Sequence, residues 1–481
     1  MSAVQEAKGV AIRESLLYQI WSRQLLRKNA MMTADGRKVT VLFPGRHNRD
    51  QGPDFSGALV TIGGGPRLRG DVEIHVRLRD WHAHGHHKDP YYNGVVLHVV
   101  MWADGIETSL LQSGERVPVL ALCSCLAGSL EQVQHILAVS PAPREPCHGA
   151  VERYGRAGVD RLLDEAGDGR FRSKTEEFKA RITASAPEEA LYAGVMRALG
   201  YAKNKRPFEK LARLLPLGEL RSLSTGDSVL SMQALMLGTA GLLPSQRGGN
   251  GGSCLPVALD DPEVEKLQSV WESLGVGGKM NVVEWRFFRV RPENFPPRRI
   301  AGASYLISRY SGDLLAEALR LMGGVPVKQA QRELERSLMV HATGYWTSHY
   351  DFGMETKWNP GLIGQGRARE IIVNALLPLV CAWAEATSQP GLRSRALLLY
   401  HQHPRLQDNW VTRYMERKVF GDSQPGAGSA RQQQGLLHYY ALFCAQRRCL
   451  RCPLRRGNAP GHGQTPGAGY LLDSEVAQEV E

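Results

Sequence analysis

The chain has 481 residues, of which 43% are hydrophobic, and its formal net charge is +11. That hydrophobic fraction excludes a largely disordered chain, and the length allows roughly two to four domains. No apolar run approaches the ~18 residues that span a bilayer, and the first residues lack the apolar segment of a secretory signal. We therefore expect a cytoplasmic protein without a membrane span, whose eight cysteines are thiols or metal ligands rather than disulfides.

The first part of the chain predicts a helix followed by short strands. Apolar residues recur at helical spacing over 14–28. Glycines and polar turns then separate a series of strand-like runs. These runs are Lys38–Phe43, Phe55–Ile62, Val72–Leu78, Gly94–Trp102 and Val117–Leu122. The pattern predicts an α/β domain over residues 1–140.

From residue 141 onward the apolar residues follow a helical period. We expect an α+β protein in which a mainly helical region over 141–422 follows the α/β domain. A Cys- and Arg-rich segment over 430–456 and a disordered tail over 457–481, rich in Gly and Pro, complete the predicted organisation. The predicted helices are Pro187–Leu199, Pro207–Leu215, Asp227–Leu243, Asp261–Leu274, Ser304–Met322 and Ala368–Thr387.

Two neighbouring strands of the α/β domain carry residues suited to a metal. Asp54 comes just before one strand, and Glu73 and His75 lie two positions apart on the next. Because side chains alternate along a strand, Glu73 and His75 share one face while Val72 and Ile74 can enter the core. Carboxylates suit a hard divalent cation, and His75 could orient or deprotonate a water. The alternative is that Asp54 caps a turn while the other two lie on a solvated sheet face.

Pro53-Asp54 followed by Glu73-x-His75 resembles the motif of the PD-(D/E)xK nuclease superfamily. The resemblance implies a restriction-endonuclease-like core, Mg²⁺ or Mn²⁺ bound by Asp54 and Glu73, and assistance by His75 in phosphodiester hydrolysis of DNA or RNA. His75 departs from the motif, since it stands where that superfamily has lysine and cannot supply a permanent cation. A non-catalytic nucleic-acid-binding or scaffold protein is therefore the alternative function.

Four histidines follow closely, at His82, His84, His86 and His87. Imidazole nitrogens bind transition metals, so this cluster is a candidate ligand set for a hydrolase with a different substrate. The alternative is a polar loop beside the cleft.

Three cysteines, Cys444, Cys449 and Cys452, lie within nine residues near the end of the chain. Three thiols at this spacing suit a zinc ion or an iron–sulfur cluster that takes one further ligand. Cys147 is the preferred fourth ligand, with other cysteines or a histidine as alternatives. A nuclease motif combined with one upstream and three downstream cysteines resembles the iron–sulfur-cluster nucleases. Ordinary reduced thiols are the alternative.

Arginines accompany aromatic residues in the helical region and surround the last cysteines. Arginine binds phosphate and exposed aromatic rings stack on bases, so we expect a nucleic-acid partner. The alternative is that the aromatic side chains pack in the core while the arginines are solvated. The candidate contacts are Arg286, Arg289, Arg291, Arg298, Arg299, Arg447, Arg448 and Arg451.

Several separated blocks together resemble a bacterial family known as domain of unknown function DUF 2851. The resemblance runs from Leu16 to Cys452 and implies a shared fold, but no activity. The blocks include Gly52–Phe55, Val72–His75, Asp80-Trp81 with the following histidines, Leu97–Val100, Pro146-Cys147, Arg289–Pro296, Tyr345–Tyr350 and the closing cysteines.

Overall fold

The structure is a computed structural model that describes most of the chain. The described residues are 12–48, 52–103, 108–139, 147, 149–223, 228–247, 261–288, 290–310, 313–358, 361–421, 425–446 and 448–455. The predicted tail over 457–481 lies outside them. Contacts divide the chain into two units, Met1–Arg144 and Glu145–Glu481.

The first unit contains a mixed sheet of seven strands in the order β1-β3-β4-β5-β7-β6, with β2 paired to β3. The β3–β4 pair is antiparallel, whereas β4–β5 and β5–β7 are parallel. The strands are β1 Val39–Phe43, β2 Arg46–His47, β3 Phe55–Ile62, β4 Leu68–Arg77, β5 Val95–Trp102, β6 Thr108–Leu110 and β7 Arg116–Ala121. The helices are α1 Glu14–Arg23, α2 Asp80–Ala83 and α3 Leu130–Val139.

The alternation of β4 gives the sheet one apolar face and one polar face. Val72 and Ile74 are fully buried in the same core cluster as Ile20 and Trp21 of α1. Residues between them in β4 therefore point to the opposite face. This alternation follows directly from the sequence Val72–Val76, in which apolar and polar residues take turns.

The second unit is mainly helical, so the predicted combination of an α/β part and a large helical region is confirmed. Two short π-helical segments, Ile372–Leu376 and Tyr440–Cys444, adjoin α15 and α18. No helix among the described residues has both the length and the apolar character that crossing a membrane requires. The helices are α4 Ala150–Ala184, α5 Pro187–Leu199, α6 Lys205–Leu214, α7 Leu217–Leu223, α8 Ser228–Thr239, α9 Pro244–Arg247, α10 Pro262–Ser273, α11 Pro296–Tyr310, α12 Leu314–Met322, α13 Val327–Leu338, α14 Gln365–Ile371, α15 Leu377–Ala386, α16 Pro390–His401, α17 Trp410–Phe420 and α18 Ala430–Tyr439. The strands β8 His349–Asp351 and β9 Met354–Glu355 form a hairpin.

Individual helices follow the predicted pattern to different degrees. The helix predicted over 187–199 is confirmed as α5. The single helix predicted over 304–322 is wrong, because this stretch contributes to two helices, α11 and α12. The longest helix, α4, is missing from the prediction, since its apolar positions are interrupted by glycines and charged residues.

Helices α4 and α18 approach each other closely at two glycines. A Cβ atom added to Gly435 of α18 would lie 2.1 Å from the carbonyl oxygen of Leu163. A Cβ added to Gly167 of α4 would lie 2.1 Å from the carbonyl oxygen of Arg431. Backbone meets backbone at this crossing, so no side chain larger than hydrogen fits without moving the helices.

We therefore expect Gly435→Ala to destabilise the second unit by ~1–3 kcal/mol, the usual range for overpacking. Urea unfolding followed by far-ultraviolet circular dichroism measures this loss. Gly218→Ala is the matched control, since its added Cβ would have no atom within 4 Å and should leave the unfolding curve unchanged. Equal stability of the two variants would contradict the close crossing.

Candidate metal centre

Two carboxylates meet where β3 begins beside the middle of β4. The backbone N–H of Asp54 donates to Glu73 Oε2 at 2.8 Å. The backbone N–H of Ile74 donates to Asp54 Oδ2 at 3.1 Å. Each carboxylate is thus held by the backbone of the segment that carries the other. The antiparallel pairing of β3 and β4 brings together residues that are nineteen positions apart.

Three histidines converge on the same place. His75 Nε2 lies 3.6 Å from Glu73 Oε1, and His86 Nε2 lies 3.3 Å from the same oxygen. His75 Nε2 also lies 3.2 Å from His84 Nδ1. One ring nitrogen from each histidine lies within 4.8 Å of the other two, so the three could hold a metal ion. Gly85, with φ of +76°, forms the turn that lets His84 and His86 face the site together.

A fourth histidine fixes the orientation of His75. A hydrogen bond of 2.9 Å joins His75 Nδ1 to His98 Nε2, and His98 Nδ1 is 2.7 Å from the hydroxyl oxygen of Ser109. Both rings are buried, with 1% and 0% exposure. These two hydrogen bonds engage Nδ1 of His75, so that its Nε2 faces Glu73. A hydrogen bond to one ring nitrogen of a histidine determines which of its two nitrogens carries the proton, and His98 can act on His75 in this way.

His98 lies in β5, the strand that neighbours β4. Register explains its role, because Glu73 of β4 is paired with His98 of β5 and both point to the same face. The available signal was a polar residue alternating with valines in a strand that would neighbour β4.

Helix α1 supplies two more polar groups. The Tyr18 hydroxyl donates to Glu14 Oε2 at 3.4 Å, and its proximity to the Asp54 side chain acts to lower the pKa of that carboxyl. Glu14 is half-buried, and its negative charge contributes to raising the pKa of both Asp54 and Glu73. The structure places it beside the other two carboxylates.

Burial sets the protonation of the site. Burial, and then the charge of Glu73, raise the pKa of Asp54 to about 7. Burial raises the pKa of Glu73 to about 8. Burial and the neighbouring His98 lower the pKa of His75 to about 2. Neutral imidazole is the form that binds metals, and a cation would favour the ionised carboxylates. His75 carries no charge here and cannot replace the lysine of the nuclease motif.

The donor set fits a borderline transition metal better than magnesium. His86 Nε2 is buried and has no hydrogen-bond partner, although it lies near Glu73. Such a nitrogen is a suitable metal ligand, since an unpaired buried polar atom is otherwise costly. Magnesium and calcium prefer oxygen ligands only, whereas manganese, iron and zinc accept imidazole. Two of the four clustered histidines take no part, because His82 and His87 contact each other with ring centroids 4.5 Å apart.

The four predicted cysteine ligands lie together in the second unit. Cys147, Cys444, Cys449 and Cys452 line one pocket, and all four are free thiols. Burial, followed by the neighbouring thiols, raises the pKa of Cys444 to about 12. Residues from the two ends of the unit therefore form a single sulfur-lined pocket.

The predicted arginine contacts separate into buried and exposed residues. Arg298 is fully buried, and its guanidinium donates to the carbonyl oxygens of Trp346, at 2.7 Å, and His349. Arg299 is buried and donates to the Leu362 carbonyl and to Asn294 Oδ1. The prediction that these two arginines contact nucleic acid is wrong, because they hold buried carbonyl groups inside the second unit.

Four other arginines are exposed and stay predicted contacts. The exposed residues are Arg286, Arg291, Arg448 and Arg451. Arg289 and Arg447 lie outside the described residues. Among the accompanying aromatic side chains, Trp285 and Phe295 are buried, whereas Phe288 is 49% exposed.

The fold and the site define a protein with a mixed sheet, a large helical unit and a candidate metal centre of carboxylates and histidines. The chain belongs to the family described as "Protein of unknown function (DUF2851)", whose model matches residues 14–409. This match contains the whole carboxylate–histidine site and Cys147, but ends before Cys444. It is shorter than the resemblance from Leu16 to Cys452. No curated protein and no solved structure matches the chain.

The burial of Glu73 makes the stability of the metal-free protein depend on pH. Its pKa is raised from 4.5 to about 8, so the folded state binds the proton more tightly than the unfolded state. Stability should therefore fall as the pH rises from about 4.5 to about 8. Glu73→Gln should remove this loss and be more stable than the wild type above that range, by on the order of a few kcal/mol.

Thermal unfolding in EDTA on either side of this pH range measures the effect. Glu131→Gln, on the exposed surface of α3, serves as the control and should follow the wild type. If the unfolding temperatures of Glu73→Gln and the wild type depended on pH in the same way, this would contradict the raised pKa of Glu73.

Proposed function

We propose that this protein is a divalent-metal-dependent phosphodiesterase that hydrolyses nucleic acid at the carboxylate–histidine site of the first unit. The observation that carries the proposal is the convergence of Asp54, Glu73 and His75 at one place between β3 and β4. Separation of these groups on different faces would have left no site for such chemistry.

The connectivity of the first unit supports this assignment. Helix α1 precedes an antiparallel β1–β3–β4 arrangement, and short helical segments lead to β5, which is parallel to β4. This order of helices and strands resembles that in the core of the PD-(D/E)xK nucleases. Asp54 at the start of β3 and Glu73 within β4 occupy the positions that the two acidic residues of their motif would take.

The side chains have distinct proposed roles. Asp54 and Glu73 bind the cation together with imidazole nitrogens of His84 and His86. When bound, a divalent cation neutralises charge developing on a phosphoryl group and lowers the pKa of a water. His75 presents Nε2 to the site and orients a water there as a hydrogen-bond acceptor, because its other nitrogen is bonded to His98. These imidazole ligands beside carboxylates favour Mn²⁺ over Mg²⁺.

In this proposal, the exposed arginines of the second unit bind the phosphates of the polynucleotide backbone. Arg286, Arg291, Arg448 and Arg451 offer guanidinium groups at the surface, and the exposed ring of Phe288 offers a stacking surface near Arg286 in sequence. Arginine suits phosphate recognition because its planar guanidinium donates two parallel hydrogen bonds.

One observation favours a second function, the binding of nucleic acid without cleavage. His75 is neutral in its buried environment, so the site lacks the cation that the nuclease motif places at this position. A protein that lost this cation could retain the fold and the arginine contacts. Such binding would depend steeply on salt concentration, because phosphate contacts release counterions.

Cleavage of labelled DNA and RNA, single- and double-stranded, tests the phosphodiesterase. We expect cleavage with Mn²⁺ that is weaker with Mg²⁺, and a loss of at least ~10–100-fold in Asp54→Asn and Glu73→Gln, the range found for groups around a metal. Glu115→Gln, an exposed carboxylate of the same unit, should keep full activity. Salt-dependent binding without cleavage under any of these conditions would favour the non-catalytic function.

Metal binding should depend on pH. Because the pKa of Asp54 is raised to about 7 and that of Glu73 to about 8, bound protons compete with the cation below these values. Calorimetric titration should therefore show Mn²⁺ affinity increasing between pH 6 and pH 8, with a smaller increase in Asp54→Asn. A zinc ion bound with equal affinity by Asp54→Asn, but lost in His84→Ala, would instead indicate a site made by the histidines alone.

A further inference from the structure

The cysteine pocket of the second unit is formed by chain segments from both ends of that unit. Cys147 lies just before α4, and its carbonyl oxygen accepts a hydrogen bond from the N–H of Ala150 at the start of that helix. Cys444 ends the π-helical segment after α18, and Cys449 and Cys452 follow within the next turn. Each of the other three thiols is an electrostatic neighbour of Cys444. Four cysteines from distant parts of the sequence therefore line one pocket.

Packing around the pocket is apolar, but its centre is not filled by side chains. Cys147 and Cys452 are buried in a cluster with Met415, Val419 and Leu454. All four cysteines line this pocket. Protein interiors are close-packed, so a space surrounded by four thiols indicates a bound group rather than four small core residues.

The spread of the sulfur atoms distinguishes two metal centres. Among the described His, Cys, Asp and Glu residues, only His75, His84 and His86 bring three ligand atoms within 4.8 Å of one another. No three of the four sulfurs are therefore that close. A zinc ion with four thiolates at about 2.3 Å would hold the sulfurs about 4 Å apart. A [4Fe–4S] cluster binds each thiolate on a separate iron and spreads them more widely.

Positive charge accompanies the thiols. Lys418 is an electrostatic neighbour of Cys444, and Lys418 and Arg455 both line the pocket. Four cysteine thiolates around an iron–sulfur core leave a net negative charge, whose burial is favourable only beside cations. Lys418 and Arg455 supply these cations at the pocket.

We propose that Cys147, Cys444, Cys449 and Cys452 bind a [4Fe–4S] cluster that joins the start and the end of the second unit. Hydrogen bonds already link the same segments. The Tyr154 hydroxyl donates to the Pro453 carbonyl at 2.7 Å, and Arg153 donates to the Leu454 carbonyl at 2.9 Å. The cluster is structural, and it is independent of the phosphodiesterase proposed for the first unit.

Anaerobic purification of the full chain tests the cluster. We expect about four iron and four sulfide ions per chain, with visible absorbance that dithionite bleaches. Cys449→Ser and Cys444→Ser should each lose this absorbance. Cys381→Ser is the matched control, because Cys381 is buried in α15 away from the pocket, and it should keep the full iron content.

A variant that fails to fold would also lose iron, so the wild type provides a second measurement. Removing the metal with a chelator and an oxidant should lower the unfolding temperature, and adding iron and sulfide under reducing conditions should restore both absorbance and stability. One zinc per chain, no metal before or after reconstitution, or full iron in Cys449→Ser would each overturn the proposal. Asp54→Asn should keep its iron even though it loses the proposed phosphodiesterase activity. Failure of the cluster proposal can therefore be told apart from failure of the proposed function.

Discussion

The burial of two neighbouring carboxylates is the constraint on which the first unit depends. Glu73 is buried and Asp54 is half-buried beside it, and this loss of hydration raises the pKa of both. Backbone N–H groups hold both carboxylates, so moving them apart would break these two hydrogen bonds. Burial lowers the pKa of His75 and of His86, so these two imidazoles do not compensate the carboxylate charge. Such an arrangement is stable when protons or a cation supply the missing positive charge.

The two candidate metal centres use different ligands and the same principle of assembly. Carboxylates and imidazoles gather at the interior strands β4 and β5 of the first unit, while thiols gather between α4 and the end of α18 in the second. Each set brings together groups that are distant in sequence, and each is fixed by hydrogen bonds to backbone atoms nearby. Ligand softness then selects the metal, with nitrogen and oxygen suited to manganese and sulfur suited to iron.

Local patterns predicted those elements whose sequence has a clear period. The strand β3 and the helix α5 have the predicted bounds, whereas β4 begins before the predicted Val72, at Leu68. Helix α4 escaped prediction because its contact with α18 uses glycines, which carry no hydrophobic signal. Arg298 and Arg299 were misassigned for a related reason. An arginine that holds buried carbonyls has the same local sequence character as one that faces solvent.

The sequence by itself determined that Glu73 and His75 share one face of β4 and that Asp54 precedes the adjacent strand, because a strand has a period of two. Only the tertiary structure decided which other groups join them. His84, His86 and His98 reach the site through a glycine turn and the β4–β5 register, whereas His82 and His87 do not. The meeting of Cys147 with the last cysteines was likewise decided by helix packing. Contacts between distant segments depend on the whole fold, and local periodicity carries no information about them.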